Sequence, residues 1–572
     1  MGHKLSILLL AGMFPPIWVA VNLIHLSAIA ETIPTIPKTL EPDRFPKLPE
    51  SLPLQNKFQP IQTPIQSPIQ SPQVPSATPN ELPEADVTVR QIRILGSTVF
   101  SDAELQQAVA SYLGKPAKIQ DLFAIRSIIT DLYIRKGYLT SGAFLPVQSQ
   151  DFNNGIISVQ IIEGELERIN INGLDRLQEN YVRSRIAQSG QSPINISQLE
   201  EGLQLLQADP LLKTLRAELK SGTTVGRNIL DIELQESQPW VSYKTIENRE
   251  SPSVGSLGIY ASLDHRNLTG VGDTLGVDIG GSEGTRKYGI RYNLPINPED
   301  ELQFRYNYNT SRIIEQPFAS LDINSRSQTI SLGYRHFIFR HPNRELSLGL
   351  TFEQRDSRDF LLGDIPFSFA AGADNGRTTV NVLRFGQEWI ERDTNQVLSL
   401  RSQFSLGLGI LGATVNDAIP DARFFSWQGQ FQWVQALEKE TIAILRLGAQ
   451  LTTDALLPIE QFGLGGIGTV RGYRQNLYVG DNGIFGNAEL RLPIFRNEAI
   501  GLIQVVPFCD TGMVWSNSPN SFSGSLASVG LGLRWEFSPN MYARLEWAAQ
   551  LVTPNVSANA SPNQSIIFSL VF

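Results

Sequence analysis

Residues 463–476 read GLGGIGTVRGYRQN and combine two features that bind anions in proteins, closely spaced glycines and arginines. The first six residues match G-x-G-x-x-G, which lets a backbone turn approach the pyrophosphate of a dinucleotide. That site also needs a strand before the turn, a helix after it and an acidic residue about 20 positions further on. Asp481 is an acidic candidate, but TVRGYRQN begins no helical pattern. The sequence therefore predicts no nucleotide site, and Arg471 and Arg474 require another explanation.

Few residues in the chain suit metal or nucleophilic chemistry. The five histidines are scattered, no HExxH or CxxC motif is present, and Cys509 is the single cysteine. We therefore predict no metal, no cofactor, no catalytic residue and no intrachain disulfide. The formal net charge of −9 and the lack of a basic run argue against a nucleic-acid partner.

The two arginines lie in a region where hydrophobicity alternates with a period of two, which is typical of strands. Apolar and polar residues take turns in ELQFRYNYN at 301–309, FSWQGQFQW at 425–433 and SVGLGLRWEF at 528–537. Strands with one apolar face form either a soluble sandwich, which buries that face, or a transmembrane barrel, which turns it towards lipid. Segments of about ten residues or more are long enough to cross a bilayer at a tilt, and they favour the barrel.

The length and the last strand of this region also favour a barrel. Residues 237–572 provide enough chain for about 16 antiparallel strands with their turns. The segment SIIFSLVF at 565–572 carries Phe568, Leu570 and Phe572 on one face. A terminal strand of this kind resembles the signal that outer-membrane barrels present to their assembly machinery.

The alternation also assigns a direction to Asp510. Along 501–516, Cys509 and Met513 belong to the apolar face, so Asp510 faces the lumen. A charge at membrane depth is costly unless it is paired or hydrated, and an arginine fork is a geometrically specific partner for a carboxylate. From the residues alone, two interpretations stay open. Either Arg471 pairs with Asp510, or Asp510 is a solvated lumen charge and Arg471 belongs to a surface loop.

The N-terminal residues predict an export signal followed by a spacer. In residues 1–30, a short basic start, a mostly apolar stretch and the A-x-A site of Ala28 and Ala30 indicate a cleaved signal peptide, with a transmembrane anchor as the alternative. Residues 31–85 contain 13 of the 34 prolines. Because proline fixes φ and lacks an amide donor, we predict an extended linker here in preference to a ligand for an SH3-type domain.

Residues 86–165 and 166–236 are predicted to be two copies of one α+β unit. IRILG at 92–96 recurs as ININGL at 169–174, and each copy closes on a strand, at 155–164 and at 226–235. In the first copy Ser101 and Glu104 form a capping box, a second helix follows at about 121–136, and 139–148 is predicted to be a strand. The second copy has helical patterns near 178–188 and 197–206. The repeat predicts the order β-α-α-β-β twice.

The whole arrangement resembles the two-partner secretion transporters of the outer membrane (TpsB class), the haemolysin and filamentous-haemagglutinin exporters of the outer-membrane assembly superfamily. The α+β units resemble its POTRA domains. The most specific matches are two family motifs, VRGY and F-x-D-x-G, which are here Val470, Arg471, Gly472 and Tyr473, and Phe508, Asp510 and Gly512. The resemblance implies that VRGY lies on a long loop folded into the barrel, where Arg471 forms a salt bridge with Asp510 on the inner wall. It assigns no role to Arg474.

The resemblance also implies an outer-membrane pore with periplasmic POTRA domains, which captures an unfolded partner exoprotein and exports it to the cell surface. The implied partners are a β-helical exoprotein similar to haemagglutinin or haemolysin, outer-membrane lipid, and the assembly machinery during biogenesis. No enzymatic activity and no nucleotide are implied. A barrel-assembly factor of the same superfamily is one alternative, although such factors tend to carry more than two POTRA units, and a passive solute porin is another. The prolines of residues 31–60 argue against the plug helix found in many relatives.

Overall fold

The computed structural model describes residues 87–417, 420–437, 440–517, 522–538, 541–554 and 563–572. The predicted signal peptide, with its cleavage residues Ala28 and Ala30, and the predicted linker at 31–85 lie outside these residues. The described chain divides into an N-terminal unit, which ends at Pro239 and includes Asn267–Gly272, and a barrel unit of Trp240–Arg266 and Asp273–Phe572. None of the helices in the described ranges is both long enough and apolar enough to span a bilayer.

The first fold of the N-terminal unit contains two helices and a three-stranded sheet. Its elements are β1 Val87–Thr88, β2 Gln91–Leu95, α1 Asp102–Val109, β3 Pro116–Ala117, α2 Ile119–Arg135, β4 Gly142–Phe144 and β5 Ile156–Ile162. β2 pairs in parallel with β5, which pairs antiparallel with β4. The strand predicted at 139–148 was too long. β4 ends at Phe144 because Pro146, which has no amide to give to a ladder, leads into a short 3-10 turn.

The second fold of the N-terminal unit repeats this arrangement. Its elements are β6 Glu165–Asn172, α3 Glu179–Ser189, α4 Ile196–Gln207, β7 Leu212–Ser221 and β8 Arg227–Glu236. β6 pairs in parallel with β8, which pairs antiparallel with β7. The predicted order β-α-α-β-β is therefore confirmed for the helices and the three-stranded sheet of both copies, and the first copy adds the short pair of β1 with β3.

Both folds have an apolar core between helices and sheet. In the first, Val109 of α1 and Ile125 and Ile129 of α2 are fully buried and pack in one cluster with Ile157 of β5. The four-residue spacing of Ile125 and Ile129 places them on one face of α2. The cluster of the second fold draws on α3, α4 and the sheet, and includes Val182, Ile186, Leu203, Leu206, Leu230 and Ile232.

A carboxylate ties the last strand of the first fold to the loop before its first helix. Glu163, directly after β5, accepts the backbone amides of Thr98 at 2.7 Å and Val99 at 3.2 Å, and the hydroxyl of Tyr133 at 2.6 Å. Partial burial favours the protonated form of Glu163. The hydrogen bonds from Thr98, Tyr133 and Val99 outweigh it and hold its pKa below the usual value.

The second fold uses the same device at the equivalent position. Glu236, the last residue of β8, accepts three consecutive amides through Oε1, those of Asp175 at 2.8 Å, Arg176 at 2.9 Å and Leu177 at 2.8 Å. Burial acts against the charge of Glu236 too, and the three amides lower its pKa in spite of it. Each fold thus fixes its β-to-α loop with one charge-assisted acceptor.

The barrel unit is a closed antiparallel sheet, in which sixteen strands form the wall across the described residues. From the start of the wall they are β9 Trp240–Glu247, β10 Gly258–Arg266, β11 Thr274–Gly281, β12 Thr285–Pro295, β13 Asp300–Arg312, β14 Asn324–His341 and β15 Arg344–Leu361. β16 Ile365–Pro366 pairs only with the end of β15. The wall continues with β17 Arg377–Arg392, β18 Gln396–Leu408, β19 Phe425–Ala436 and β20 Ile442–Thr452.

The remaining strands complete the barrel and add short pairings inside it. They are β21 Phe462–Leu464, β22 Gly472–Tyr473, β23 Tyr478–Gly480, β24 Asn482–Asn497, β25 Gly501–Trp515, β26 Ser523–Ser538, β27 Met541–Gln550, β28 Asn563–Gln564 and β29 Ile566–Val571. β24, β25, β26, β27 and β29 belong to the wall, and β29 closes the ring by pairing with β9. β21 pairs with β23, and β22 with β28.

The two faces of the wall carry the alternation that the sequence predicts. On β26 and β27 the outward residues are apolar and exposed, such as Leu531 at 52% and Trp547 at 56%. The inward residues of the neighbouring strands are polar and buried, among them Gln504 and Asp510. An apolar outside around a polar inside is the pattern of a transmembrane barrel, so the sandwich is excluded and the predicted fold class is confirmed.

The connections between strands differ in length on the two rims of the barrel. One rim has short turns, such as 296–299, 342–343 and 393–395, and the other has long connections, such as 313–323, 362–376 and 453–481. Short turns are periplasmic and long loops extracellular in outer-membrane barrels. Residues 453–481 join β20 to β24 and contain β21, β22 and β23, and we call them the lumen segment.

Candidate functional site

The glycine-rich stretch makes the turn at the inner end of the lumen segment. Gly465 and Gly466 adopt φ of 111° and 92°, a region that favours glycine. The amide of Gly466 donates to Val470 O at 3.0 Å, and the chain then returns through β23 alongside β21. No helix follows this turn in the described residues. The glycines therefore serve to reverse the chain, and the geometry lacks the helix N-terminus that a dinucleotide requires.

Arg471 lies against Asp510 of β25 in a two-point contact. Arg471 Nε donates to Asp510 Oδ2 at 2.7 Å, and Nη2 donates to Oδ1 at 2.8 Å. The backbone amide of Arg471 adds a third bond to Oδ2 at 3.1 Å. Both side chains are buried, at 4% and 0% exposure. This planar fork is the arrangement that only arginine provides to a carboxylate.

Arg471 also reaches two carboxylates on other strands of the wall. Its Nη1 donates to Glu489 Oε2 of β24 at 3.1 Å and to Glu546 Oε1 of β27 at 3.0 Å. Arg491 Nε donates to Glu489 at 2.8 Å, and Arg544 Nη2 donates to Glu489 at 2.7 Å. We call these residues the Arg471 cluster: Arg471, Arg491, Arg544, Asp510, Glu489 and Glu546. The cluster brings together three arginines and three carboxylates, so each of these charges has a partner of the opposite sign.

Phe508 and Gly512, the other two residues of the F-x-D-x-G motif, also lie against the lumen segment. The Arg471 guanidinium lies 3.6 Å from the centroid of the Phe508 ring, in a cation–π arrangement. A Cβ at Gly512 would approach Leu464 Cδ1 of the lumen segment to 2.5 Å. The absence of a side chain at Gly512 therefore lets Leu464 lie directly against the wall.

The other residues of the VRGY motif hold the segment at the same wall. Gly472 has φ of 92°, and a Cβ there would lie 3.0 Å from the Cβ of Ala548. Tyr473 is fully buried, with its hydroxyl 2.8 Å from Ala527 O and 2.7 Å from Val552 O. Val470 is buried too, in an apolar cluster with Phe462, Leu464, Tyr478, Phe485, Val514 and Leu526.

Arg474, which sequence reasoning left without a role, forms an ion pair with a distant loop. Its Nη2 donates to Glu315 Oε2 at 2.7 Å, and Nη1 lies 3.2 Å from Oε1. Glu315 belongs to the connection between β13 and β14. Its distance of 159 residues along the chain explains why no local pattern indicated the pair.

Asp481 fixes the neck of the lumen segment, where the chain rejoins the wall. Its Oδ1 accepts the amide of Leu456 at 2.9 Å and Nε2 of Gln461 at 3.0 Å, and its Oδ2 accepts the amide of Asn517 at 2.7 Å. The acidic residue that the nucleotide hypothesis considered thus joins the two ends of the segment to each other.

The contacts described above position a chain segment inside the barrel. In the described ranges, no group of three or more His, Cys, Asp or Glu side chains is placed to hold a metal ion. The residues of the predicted C-terminal signal lie at the end of the wall, Phe568 and Leu570 in β29 and Phe572 just after it.

Known proteins share this fold and this order of segments. A sequence profile of the haemolysin secretion/activation proteins ShlB/FhaC/HecB matches residues 226–535, and a profile of the ShlB-type POTRA domain matches residues 87–164. The outer membrane transporter CdiB of Dickeya dadantii is 23% identical over 477 residues, which cover 81% of this chain and 83% of that protein. The heme/hemopexin transporter protein HuxB of Haemophilus influenzae is 24% identical over 480 residues, covering 79% and 81%.

A solved structure shows the same architecture. The structure of CdiB from Escherichia coli has a TM-score of 0.67 at 23% sequence identity, covering 88% of this chain and 93% of that chain.

The ShlB/FhaC/HecB match extends over more than half of the chain and includes both the VRGY motif and Asp510. The family resemblance and the location in the outer membrane, with POTRA domains in the periplasm, are thereby confirmed. The chain belongs to the haemolysin secretion/activation protein family ShlB/FhaC/HecB and is an outer-membrane transporter of two-partner secretion.

Proposed function

We propose that this transporter captures an unfolded partner exoprotein on its POTRA domains and passes it through the barrel lumen to the cell surface. The observation that carries the proposal is the lumen segment, a stretch of chain that lies inside a closed barrel without belonging to its wall. Side chains and the short pairing of β22 with β28 hold it there, and neither belongs to the ladder of the wall, so the segment can leave the lumen while that ladder stays paired. A polar passage then remains for an extended client.

The POTRA domains offer sheet edges to such a client. In the described residues β2 and β6 each pair with a single neighbour, so each lies at the edge of its sheet. An extended peptide can add to such an edge as a further strand. Folding of the client outside the cell would then make its return unfavourable, and no nucleotide is needed.

Arg471 has the role of an anchor in this proposal. Without it, the Arg471 cluster would hold three carboxylates and two arginines in a buried site. Removing one partner from such a site costs about 3–5 kcal/mol, because the remaining charge is uncompensated. Release of the segment is the simplest relaxation, since it opens the carboxylates to water. The barrel would then lack its internal support.

The client proposed here is a large β-helical exoprotein similar to haemagglutinin or haemolysin. Outer-membrane lipid around the wall and the assembly machinery during biogenesis complete the expected partners. That the chain catalyses no reaction of its own also stays a prediction.

A deletion strain tests both the function and the anchor. We expect it to lose one large exoprotein from its surface and medium, and the intact chain to restore it. Arg471→Ala should restore less than about a tenth, since the fork and its charge are lost, and Arg471→Lys should give an intermediate level because it keeps only the charge. The exoprotein is measured by mass spectrometry of surface and medium.

The control for this experiment is Arg326→Ala, which removes an exposed arginine of β14 with 54% side-chain exposure. Full secretion by Arg471→Ala, at a normal barrel level, would contradict the anchor. Loss of many barrel proteins from the outer membrane would favour an assembly factor instead, and an unchanged set of surface proteins would favour a solute porin.

A further inference from the structure

A second buried ionic cluster holds the lumen segment to another part of the wall. The short 3-10 turn Pro458–Glu460 presents Glu460 to Arg384 of β17. Arg384 Nη2 lies 2.9 Å from Glu460 Oε1 and 3.1 Å from Oε2. Arg355 of β15 adds its Nη1 at 3.5 Å from the same Oε1 and donates to the carbonyl of Ile459 at 3.1 Å.

The wall contributes one carboxylate and two arginines to this site. Glu353 of β15 accepts from Arg384 Nη2 at 3.0 Å and from Arg355 Nε at 2.6 Å. Arg384 Nη1 also donates to Ser405 of β18 at 2.9 Å, so the guanidinium is held on both sides. The side-chain exposures of Arg384 and Glu460 are 9% and 5%. We call Arg384, Arg355, Glu353 and Glu460 the Glu460 cluster.

The two clusters lie on separate strands and share no residue. The Arg471 cluster uses β24, β25 and β27 of the wall, whereas the Glu460 cluster uses β15, β17 and β18, with β19 and β20 between them. Next to Glu460, Ile459 packs with Val380 and Val382 of β17 in an apolar cluster that also contains Leu456 and Leu457. The segment therefore has an apolar and an ionic contact on this part of the wall.

The charges of the Glu460 cluster balance only when the lumen segment lies inside the barrel. With the segment in place, the Glu460 cluster holds two positive and two negative charges. If the segment leaves, the wall keeps Arg384, Arg355 and Glu353, with one positive charge in excess. The Arg471 cluster would keep one negative charge in excess. Each of the two contacts therefore independently favours the segment inside the lumen, because breaking either contact leaves an unpaired charge.

We propose that Glu460 is a second anchor of the lumen segment, with Arg384 and Arg355 as its receptors, and that opening of the export pore requires this contact to break as well as that of Arg471. Glu460, Arg384 and Arg355 are positioning residues for export. The proposal deepens the proposed function, since it adds a second control point to the same pore. The two anchors fix the segment to two separate parts of the wall, in addition to the ion pair of Arg474 with Glu315.

Conductance of the purified full-length chain in planar lipid bilayers tests the second anchor without any client. We expect Glu460→Gln to spend at least about tenfold more time in the conducting state than the unmodified chain, since a neutral amide leaves Arg384 and Arg355 unbalanced. The matched control is Glu388→Gln. Glu388 also lies on β17 and pairs with Arg335 of the wall, not with the segment. It should leave the conducting fraction unchanged.

Labelling of a cysteine next to the anchor gives a second readout of segment release. In a Cys509→Ser background, which removes the single native cysteine, Ile459→Cys is buried when the segment is anchored. Glu460→Gln should raise its labelling rate with a membrane-impermeant thiol reagent by about tenfold or more. Should Glu460→Gln fail to fold, as judged by gel migration of the unheated barrel, Glu460→Asp keeps the charge at a shorter reach and should give a smaller rise.

Combination with the first anchor shows whether the two act separately. Because the clusters share no partner, the effects of Arg471→Ala and Glu460→Gln on the conducting-to-closed ratio should multiply. The proposal is overturned if Glu460→Gln conducts and labels like the unmodified chain, or if Glu388→Gln opens the pore equally. An unchanged set of surface and secreted proteins in the deletion strain would count against the proposed function alone, since no client is present in the conductance and labelling measurements.

Discussion

The N-terminal unit buries mainly aliphatic side chains, whereas the barrel unit buries clusters of charged side chains beside smaller apolar ones. In the POTRA folds, aliphatic residues such as Ile125 and Ile186 fill the interior, and the carboxylates of Glu163 and Glu236 lie at the margins, where they accept backbone amides. In the barrel, Leu531 faces outward while Arg471 and Asp510 are almost inaccessible. The solvent explains the reversal, because lipid accepts an apolar face that water rejects.

This difference also changes what a single residue can do. An apolar core loses stability in proportion to the volume removed, and its neighbours relax only partly. A buried ionic cluster depends on balance, so that the loss of one member affects all others. We therefore expect a buried aliphatic residue to be critical for stability in the POTRA folds, and a buried arginine or carboxylate to be critical in the barrel.

The largest loss of stability is expected from a substitution in the apolar core of the first POTRA fold. Ile125→Ala should lower the free energy of unfolding of the first POTRA fold by about 2–5 kcal/mol, because it leaves a cavity at a fully buried position. Ile134→Ala, on the same helix but 43% exposed, should change it by no more than about 0.5 kcal/mol. Hydrogen exchange of amides in residues 87–164 of the full chain in urea measures both. Equal effects of the two substitutions would contradict the assigned core.

A smaller effect is expected when a charge is placed on the lipid face. Leu531→Arg, at the middle of β26, should destabilise the barrel by about 2–4 kcal/mol, because the charge lies at the depth of the bilayer midplane. Met541→Arg, at the first residue of β27, should cost about 0–1 kcal/mol near the interface. Urea titration of the barrel in lipid vesicles, followed by gel migration, gives both values. A tolerated Leu531→Arg would show that this face does not meet lipid.

The smallest effect concerns the charged acceptor of the first POTRA fold. The folded-state pKa of Glu163 is lowered, so its contribution to stability is fully present above the unfolded pKa and is lost as the pH falls through the folded value. Protection of the Thr98 and Val99 amides against hydrogen exchange, corrected for the intrinsic rate, should therefore be constant from pH 7 down to about 4.5 and decrease below it.

Glu163→Gln provides the control for this pH dependence. It keeps a neutral acceptor, so protection of the two amides at pH 7 should fall by about tenfold and should no longer respond to acid in this range. A pH profile that is the same with and without the carboxylate would assign the effect to another group.

Local patterns were sufficient to predict most of the fold. The period of two along β25 and β26 places Asp510 inside and Leu531 outside, because strand geometry alternates whatever surrounds it. The capping box of Ser101 was equally local. It forms as predicted, with the Ser101 amide donating to Glu104 at 2.8 Å. The length of β4 could not be predicted in this way, since Pro146 ended the strand where the apolar pattern continued.

The candidate site was only partly predictable because its residues come from distant strands. Alternation places Arg544 and Glu546 on the inner face but gives no indication of which loop they meet. Glu489, Glu460 and Glu315 are 18, 76 and 159 residues from the arginines they bind, so their pairing depends on closure of the barrel. The contact of Arg471 with Asp510 came from the family resemblance, and the residues alone left two interpretations open.

Gly472 limits how this part of the sequence can change over evolutionary time. Its backbone lies in a conformation that residues with a side chain rarely adopt, and a Cβ there would lie in tight contact with the Cβ of Ala548. A second-site change of Ala548 to glycine would clear the space, yet the unfavourable torsion would remain. A substitution at position 472 therefore meets two separate obstacles, and a second change at Ala548 removes only one of them.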